Sequence, residues 1–155
     1  REMVVIGGGP AGCAAAITLA RAGRVPLVLE REAVPGEKVC GEFLAADAAA
    51  GLSGLGLNPQ ALGAVPITRM AIAAGRWDAA LPLPFEAWGL PRAVLDAALL
   101  TRASDAGAEV VLGRAVAEVR GFSGFAQTPL QPSPAVAGEG AGGAACEVRF
   151  ADNDR

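Results

Sequence analysis

Histidine and tyrosine are absent from these 155 residues. Without them, a Ser-His-Asp triad, a Cys-His pair and a His-ligated metal site are excluded for the residues present. Cysteine is scarce: Cys13, Cys40 and Cys146 form no CxxC pair and leave an odd number. That pattern points to free thiols in a reducing compartment, not to a disulfide framework. No apolar run approaches the roughly 18 residues of a membrane-spanning helix, and the apolar stretch 3–6 is too short for a signal peptide. The expected location is cytoplasmic. A basic block is missing too: 13 Lys and Arg stand against 16 Asp and Glu, for a net charge of -3. Nucleic acid is therefore not an expected partner. Chemistry has to come from a cofactor or from residues outside the chain, so no catalytic residue and no metal site is assigned.

What is present suits a folded domain. Apolar residues make up 52% of the chain and charged residues 19%, enough for one modest core, hence a single domain or part of one. Residues 3–6 are apolar and mostly β-branched and end at three glycines, as a buried parallel strand does before a tight turn. Helix formers over 11–22 follow Pro10 and stop at Gly23. Residues 26–29 give a second apolar strand, which closes a βαβ unit of about thirty residues.

Gly7-Gly8-Gly9-Pro10-Ala11-Gly12 fits G-x-G-x-x-G between that strand and that helix. The context makes the pattern useful. Gly7 allows the turn, Gly9 leaves room for a pyrophosphate near the backbone, and Gly12 lets the helix approach the strands. Pro10 sacrifices no needed donor, since the first N–H groups of a helix have no helical acceptor and face the ligand with about half a positive charge. Glu30 ends the second strand, eighteen residues beyond Gly12. A carboxylate there accepts hydrogen bonds from both hydroxyls of an adenosine ribose and repels a 2'-phosphate. A generic glycine turn followed by a surface glutamate is the blander alternative, but strand, helix, second strand and acid in this order favour a dinucleotide. The pattern does not separate FAD from NAD.

Farther along, 31–38 reads as a loop, 41–50 as a short helix and 51–59 as turn-rich. Residues 67–73 and 77–83 read as strands joined at Gly75-Arg76, with Pro82 and Pro84 restricting the second to an edge. Residues 91–106 form an amphipathic helix with Val94, Leu95, Ala98 and Leu99 on one face and Gly107 as its stop. Two short strands follow at 109–112 and 115–119. The Pro, Gly, Ala and Ser of 127–145 have little to pack and read as a flexible insertion. Residues 146–150 read as a strand whose hairpin partner, after the turn chemistry of Asp152-Asn153-Asp154, is expected beyond the chain.

Glu37-Lys38-Val39-Cys40-Gly41-Glu42-Phe43-Leu44, after Glu30-Arg31 and Pro35-Gly36, resembles the K-x-C-G-E-x-L segment of geranylgeranyl reductase and FixC-like flavoproteins. These sit within the wider group of flavin-dependent monooxygenases and halogenases with the glutathione-reductase type of FAD fold. Leu90-Pro91-Arg92-Ala93-Val94-Leu95-Asp96-Ala97-Ala98-Leu99 is similar to that family's R-x-x-(L/F)-D-x-x-L helix, and Gly107-Ala108-Glu109-Val110-Val111 with Ala115-Val116 to its G-A-x-V strand and the segment after it. The resemblance implies FAD, with Cys40, Gly41 and Phe43 along the flavin, Arg92 reaching the phosphate and ribityl region, and the backbone at Val116 cradling the adenine. Arg31 and Lys38 are placed with them on the cofactor side. A physical argument adds to Arg92: a cation in the first helical turn opposes the macrodipole unless an anion such as a pyrophosphate compensates, whereas Asp96 is expected to pair locally on the helix.

The expected fold class is α/β, a Rossmann-like FAD-binding βαβ unit with the start of a second, substrate-side β region, in an incomplete domain. Its expected boundaries are an FAD-binding domain over 1–125, including part of a substrate-side sheet at about 66–88, a low-complexity insertion over 126–145, and the start of a continuing domain over 146–155. No Gly-Asp dipeptide occurs, although the family carries one, and no initiator methionine opens the chain. An N-terminal fragment of a flavin-dependent oxidoreductase, inactive alone, is therefore expected, with NAD(P)H as an external reductant. The implied substrate is a hydrophobic small molecule of isoprenoid or polyketide type, and peripheral membrane contact through other parts stays open. The alternatives are an NAD-dependent dehydrogenase and a non-catalytic nucleotide-binding fragment.

Overall fold

A computed structural model describes residues 2–40, 42–120 and 147–150. Strand β1 (Val4–Ile6) leads through the glycines into helix α1 (Pro10–Arg21), which has proline in its first turn, and the chain returns as β2 (Leu27–Leu29). After the 31–40 loop come β3 (Phe43–Ala45), α2 (Ala46–Gly54) and β4 (Val65–Pro66). Next come β5 (Arg69–Ala74), β6 (Trp77–Pro82), β7 (Ala87–Gly89), α3 (Arg92–Asp105), β8 (Glu109–Val111) and β9 (Val116–Arg120), with β10 (Glu147–Phe150) last.

These elements fall into two units, divided after Arg114. In the first, β1, β2 and β8 form a parallel sheet with β2 in the middle, Val5 opposite Val28 and Val28 opposite Val110. The fold is α/β as expected. Val28 is fully buried, and so are Cys13, Ala16 and Ile17 of α1 and Leu99 and Ala103 of α3. Small residues on both helices let them approach closely, and a large side chain such as Ile17 or Leu99 contributes about 1.5–3 kcal/mol by leaving water. Beside this core, β7 joins β3 and β4 in an antiparallel sheet of order β3-β7-β4.

The helix expected over 41–50 begins later, since Phe43–Ala45 is strand and the helix runs from Ala46 to Gly54. Pairing of Phe43 with Gly89 and Leu44 with Trp88, far apart in sequence, overrides the local alanine-rich preference. β4 and β7 are too short to show a period. The buried face of α3 is also rotated from the expected one: it consists of Leu95, Asp96, Leu99, Leu100 and Ala103, while Val94 is exposed. An apolar-only reading of the helix skips Asp96. The expected hairpin does form between β5 and β6, with Gly75 at φ +61 in its turn. Every residue of both strands is exposed.

In the second unit β9 pairs antiparallel with β10. Residues 147–150 thus have the earlier strand as a neighbour, a pairing the sequence reading did not anticipate. Closure entropy rises only with the logarithm of the connection's length, so the intervening residues do not forbid the pairing. Gly41, the insertion at 126–145, Cys146 and Asp152-Asn153-Asp154 lie outside the described residues.

Candidate cofactor site

The turn after β1 is shaped by four glycines with different tasks. Gly7 has φ +101 and donates its N–H to the Leu29 carbonyl at 2.8 Å, which ties the turn to the end of β2. At Gly12 an added Cβ would overlap the Gly7 carbonyl oxygen. A Cβ on Gly9 would meet nothing within 4 Å, so this position faces open space. Gly8 is a packing position: a Cβ there would lie 2.9 Å from Leu100 Cδ2 and 3.1 Å from Glu30 Cβ.

Below the turn, Cys13 Sγ donates to the Gly8 carbonyl at 3.2 Å. Burial, reinforced by the charges of Asp96 and Glu30, pushes this thiol up to about 11. It stays protonated and acts as an inert strut. The N–H groups of Ala11 and Gly12, in the first turn of α1, have no helical carbonyl to reach and are available to an anion.

Glu30 is held from several sides. Its N–H donates to Val111 at 2.9 Å and its carbonyl accepts from Arg114 at 2.8 Å. Oε2 accepts the Gly8 N–H at 2.6 Å and Oε1 accepts the Glu32 N–H at 3.0 Å. Desolvation raises the Glu30 pKa, but the Glu32 and Gly8 N–H groups, with Lys38 and Arg31 nearby, outweigh it and hold the carboxyl below its ordinary value. Each oxygen keeps a lone pair for a further donor, so the carboxylate can still accept from a diol.

A cleft of about 100 Å³ opens at this point, lined by Gly8, Gly9, Glu30, Glu32, Pro35, Lys38, Arg92, Asp96 and Leu100. It is small beside the roughly 300–1,000 Å³ of a site that takes a whole drug-sized ligand. It suits one portion of a larger molecule. A cavity of about 470 Å³, between α2 and Glu86 and Trp88, shares no residue with it and lacks the glycine turn. We assign the site by chemistry, not by size.

The cleft brings together Gly9, Glu30, Lys38 and Arg92, with Pro10, Ala11 and Gly12 at the adjoining helix start. Arg92 binds Asp96 through two hydrogen bonds, Nε to Oδ1 at 3.0 Å and Nη2 to Oδ2 at 3.1 Å. The anion offsetting this first-turn cation is therefore Asp96, and the macrodipole argument no longer requires a phosphate. The Glu42 N–H and the Arg92 guanidinium hold the exposed Cys40 thiol below its ordinary value, which puts Cys40 beside Arg92. Arg31 pairs with Glu32 at 3.0 Å on the surface and does not line the cleft. Nor does Phe43, half-exposed on β3. Val116 belongs to the second unit, and among the described residues no cluster of metal-ligating side chains occurs. Sequence reasoning missed Gly8 as a packing glycine and Asp96 as a lining residue. The Arg92 to Asp96 spacing of four residues was the available signal.

Residues 5–39 match the family model of the NAD(P)-binding Rossmann-like domain. Over 123 residues the chain is 33% identical to the menaquinone reductase of Mycolicibacterium smegmatis, covering 76% of this chain and 30% of that protein. Over 113 residues it is 41% identical to digeranylgeranylglycerophospholipid reductase 2 of Methanopyrus kandleri, covering 72% and 28%. The chain is similar to these reductases over about three quarters of its length. The resemblance read from the 38–44 segment and the Arg92 helix is borne out. Among solved structures, a myxobacterial chondrochloren halogenase of the FAD-dependent type superposes with a TM-score of 0.68 at 27% identity, over 79% of this chain and 30% of that one. A geranylgeranyl bacteriochlorophyll reductase-like protein of Thermoplasma acidophilum shares the fold, with a TM-score of 0.63 at 23% identity over 77% and 31%. The chain spans about 30% of the length of the curated relatives it matches.

Proposed function

We propose that the chain is the FAD-binding part of a flavin-dependent oxidoreductase, a reductase or monooxygenase acting on a hydrophobic small molecule of isoprenoid or polyketide type. One observation carries the reading: the Glu30 carboxylate is fixed against the glycine turn, directly beside the open face of Gly9. A carboxylate there, next to helix-terminal N–H groups without helical acceptors, supports a ligand that carries a ribose diol beside a diphosphate. Gly9 lines the cleft and faces open space beside Glu30 and the helix start, so the residues present fit the group.

In this reading Ala11 and Gly12 donate to the diphosphate, Glu30 accepts from the ribose, Lys38 supplies positive charge at the cleft, and Arg92, paired with Asp96, supplies hydrogen-bond donors. Cys40, Gly41 and Phe43 belong to the flavin side. Arg31, paired with Glu32 on the surface, contributes its charge from outside the cleft. Bound FAD supplies hydride chemistry, and the chain's residues bind and orient it. NAD(P)H is the proposed external reductant. The cytoplasm is the proposed location, in keeping with unpaired cysteines and with the absence, among the described residues, of a helix long and apolar enough to cross a membrane. The names of the relatives, reductases of menaquinone and of geranylgeranyl lipids, support a lipid-like substrate and peripheral contact with a membrane.

An NAD-dependent dehydrogenase is the second reading, favoured by the family model matched at residues 5–39. Adding FAD or NADH separately and following the melting temperature distinguishes them. A rise with FAD alone is expected, a rise with NADH alone selects the dehydrogenase, and no rise with either leaves a non-catalytic module.

A further inference from the structure

We infer that Asp96 is a positioning residue for the cofactor's phosphates: from inside the core it fixes the Arg92 guanidinium at the edge of the glycine-turn cleft. This inference rests on the FAD reading above. Among the described residues Asp96 is the one charged side chain that is buried, at 4% exposure, and it lies on the same stripe of α3 as Leu95, Leu99 and Leu100. Burying a carboxylate costs several kcal/mol, and a buried ion pair is seldom more stable than a well-packed apolar replacement. Stability alone therefore gives α3 little reason to carry an acid there. Geometry gives one.

Both carboxylate oxygens engage the same edge of the guanidinium, Nε and Nη2. This fork-to-fork pairing fixes the plane of the group and turns its remaining N–H donors away from Asp96. Arg92, Asp96 and Leu100 all line the cleft with Gly8 and Gly9. Leu100 is also the side chain that a Cβ on Gly8 would strike. One face of α3 thus meets the glycine turn through Leu100 and, about two turns closer to its N-terminus, presents an arginine locked by an acid. Since the pair is neutral overall, Arg92 recognises an anion by directed hydrogen bonds more than by net charge.

The test measures binding of FAD, ADP and adenosine to the full protein, for the wild type, Asp96→Asn, Arg92→Gln and the double variant. ADP carries the diphosphate and adenosine does not. Asp96→Asn is expected to weaken FAD and ADP by about tenfold to a hundredfold, the range of a hydrogen bond to a charged group. Adenosine affinity stays within about twofold, because Glu30 is untouched. In the Arg92→Gln background, Asp96→Asn is expected to add no further loss, as for a residue that acts through its partner. Asp96→Leu keeps the core filled without the acid and gives the same selective loss, even if the asparagine variant fails to fold.

Equal weakening of adenosine and ADP, or ADP affinity unchanged in both Asp96 variants, overturns the inference. If the wild type binds ADP with this dependence on Asp96 but does not bind FAD, the positioning role stands and the FAD reading falls.

Discussion

Two glycines that look alike in sequence behave differently at the scale of the residue. Gly9→Ala introduces a Cβ into open space at an ordinary backbone conformation, φ -76, so its melting temperature should match the wild type within about 1 °C. Its FAD affinity should drop at least tenfold, because the new methyl lies where a diphosphate has to approach. Gly12→Ala drives a methyl into the Gly7 carbonyl and should cost about 1–3 kcal/mol or more of stability. Thermal melts with FAD titrations separate the two, and a destabilised Gly9→Ala would contradict the assignment. Glu30 makes a pH prediction. Its pKa in the folded protein is lower than when unfolded, so it contributes stability above the ordinary value of 4.5 that is lost as pH falls through the folded value. In acid titrations of the melting temperature, Glu30→Gln should show a shallower decline than wild type across that window. Gly7 and Gly12 were legible because a tight strand-to-helix turn and a close helix approach tolerate few alternatives at those positions. Gly8 was not, because its constraint comes from Leu100, ninety-two residues away in sequence.

Elements were legible where their period was long. α1 and α3 were expected almost to the residue, since each spans several turns and has a clear stop. The opposite held for β3, β4 and β7, of two or three residues each, whose existence depends on pairing with one another. α2 shows how an element without strong signals is held. Arg21 of α1 donates to the Gly54 and Leu55 carbonyls at 2.6 and 2.8 Å, and Arg102 of α3 donates to Leu55 at 3.0 Å. The two arginines satisfy carbonyls that the end of α2 leaves without helical partners. Arg102→Ala should therefore lower stability by about 1 kcal/mol, discounted for partial exposure, or about 3 °C in melting temperature. Faster amide exchange in residues 46–57 should accompany it, and uniform exchange across the chain would show that the clamp is not local.

At the scale of the molecule, the fold class was readable from local pattern plus resemblance, while the identity of the substrate was not. Residues that would meet a substrate are not identified by pattern in this chain, which spans about 30% of the length of its reductase relatives. If FAD is the ligand, adding it at a hundred times its dissociation constant should stabilise the protein by about 2.7 kcal/mol, several degrees in melting temperature. The 2.6 Å bond between the Gly8 N–H and Glu30 has one more consequence. In the proposed reading it joins the acid meant for the sugar and the loop meant for the phosphates into one stiff piece before any ligand arrives. Molecules carrying only half of the dinucleotide meet a mould already cast for the whole, and the ordering of its parts is a cost of folding, not of docking.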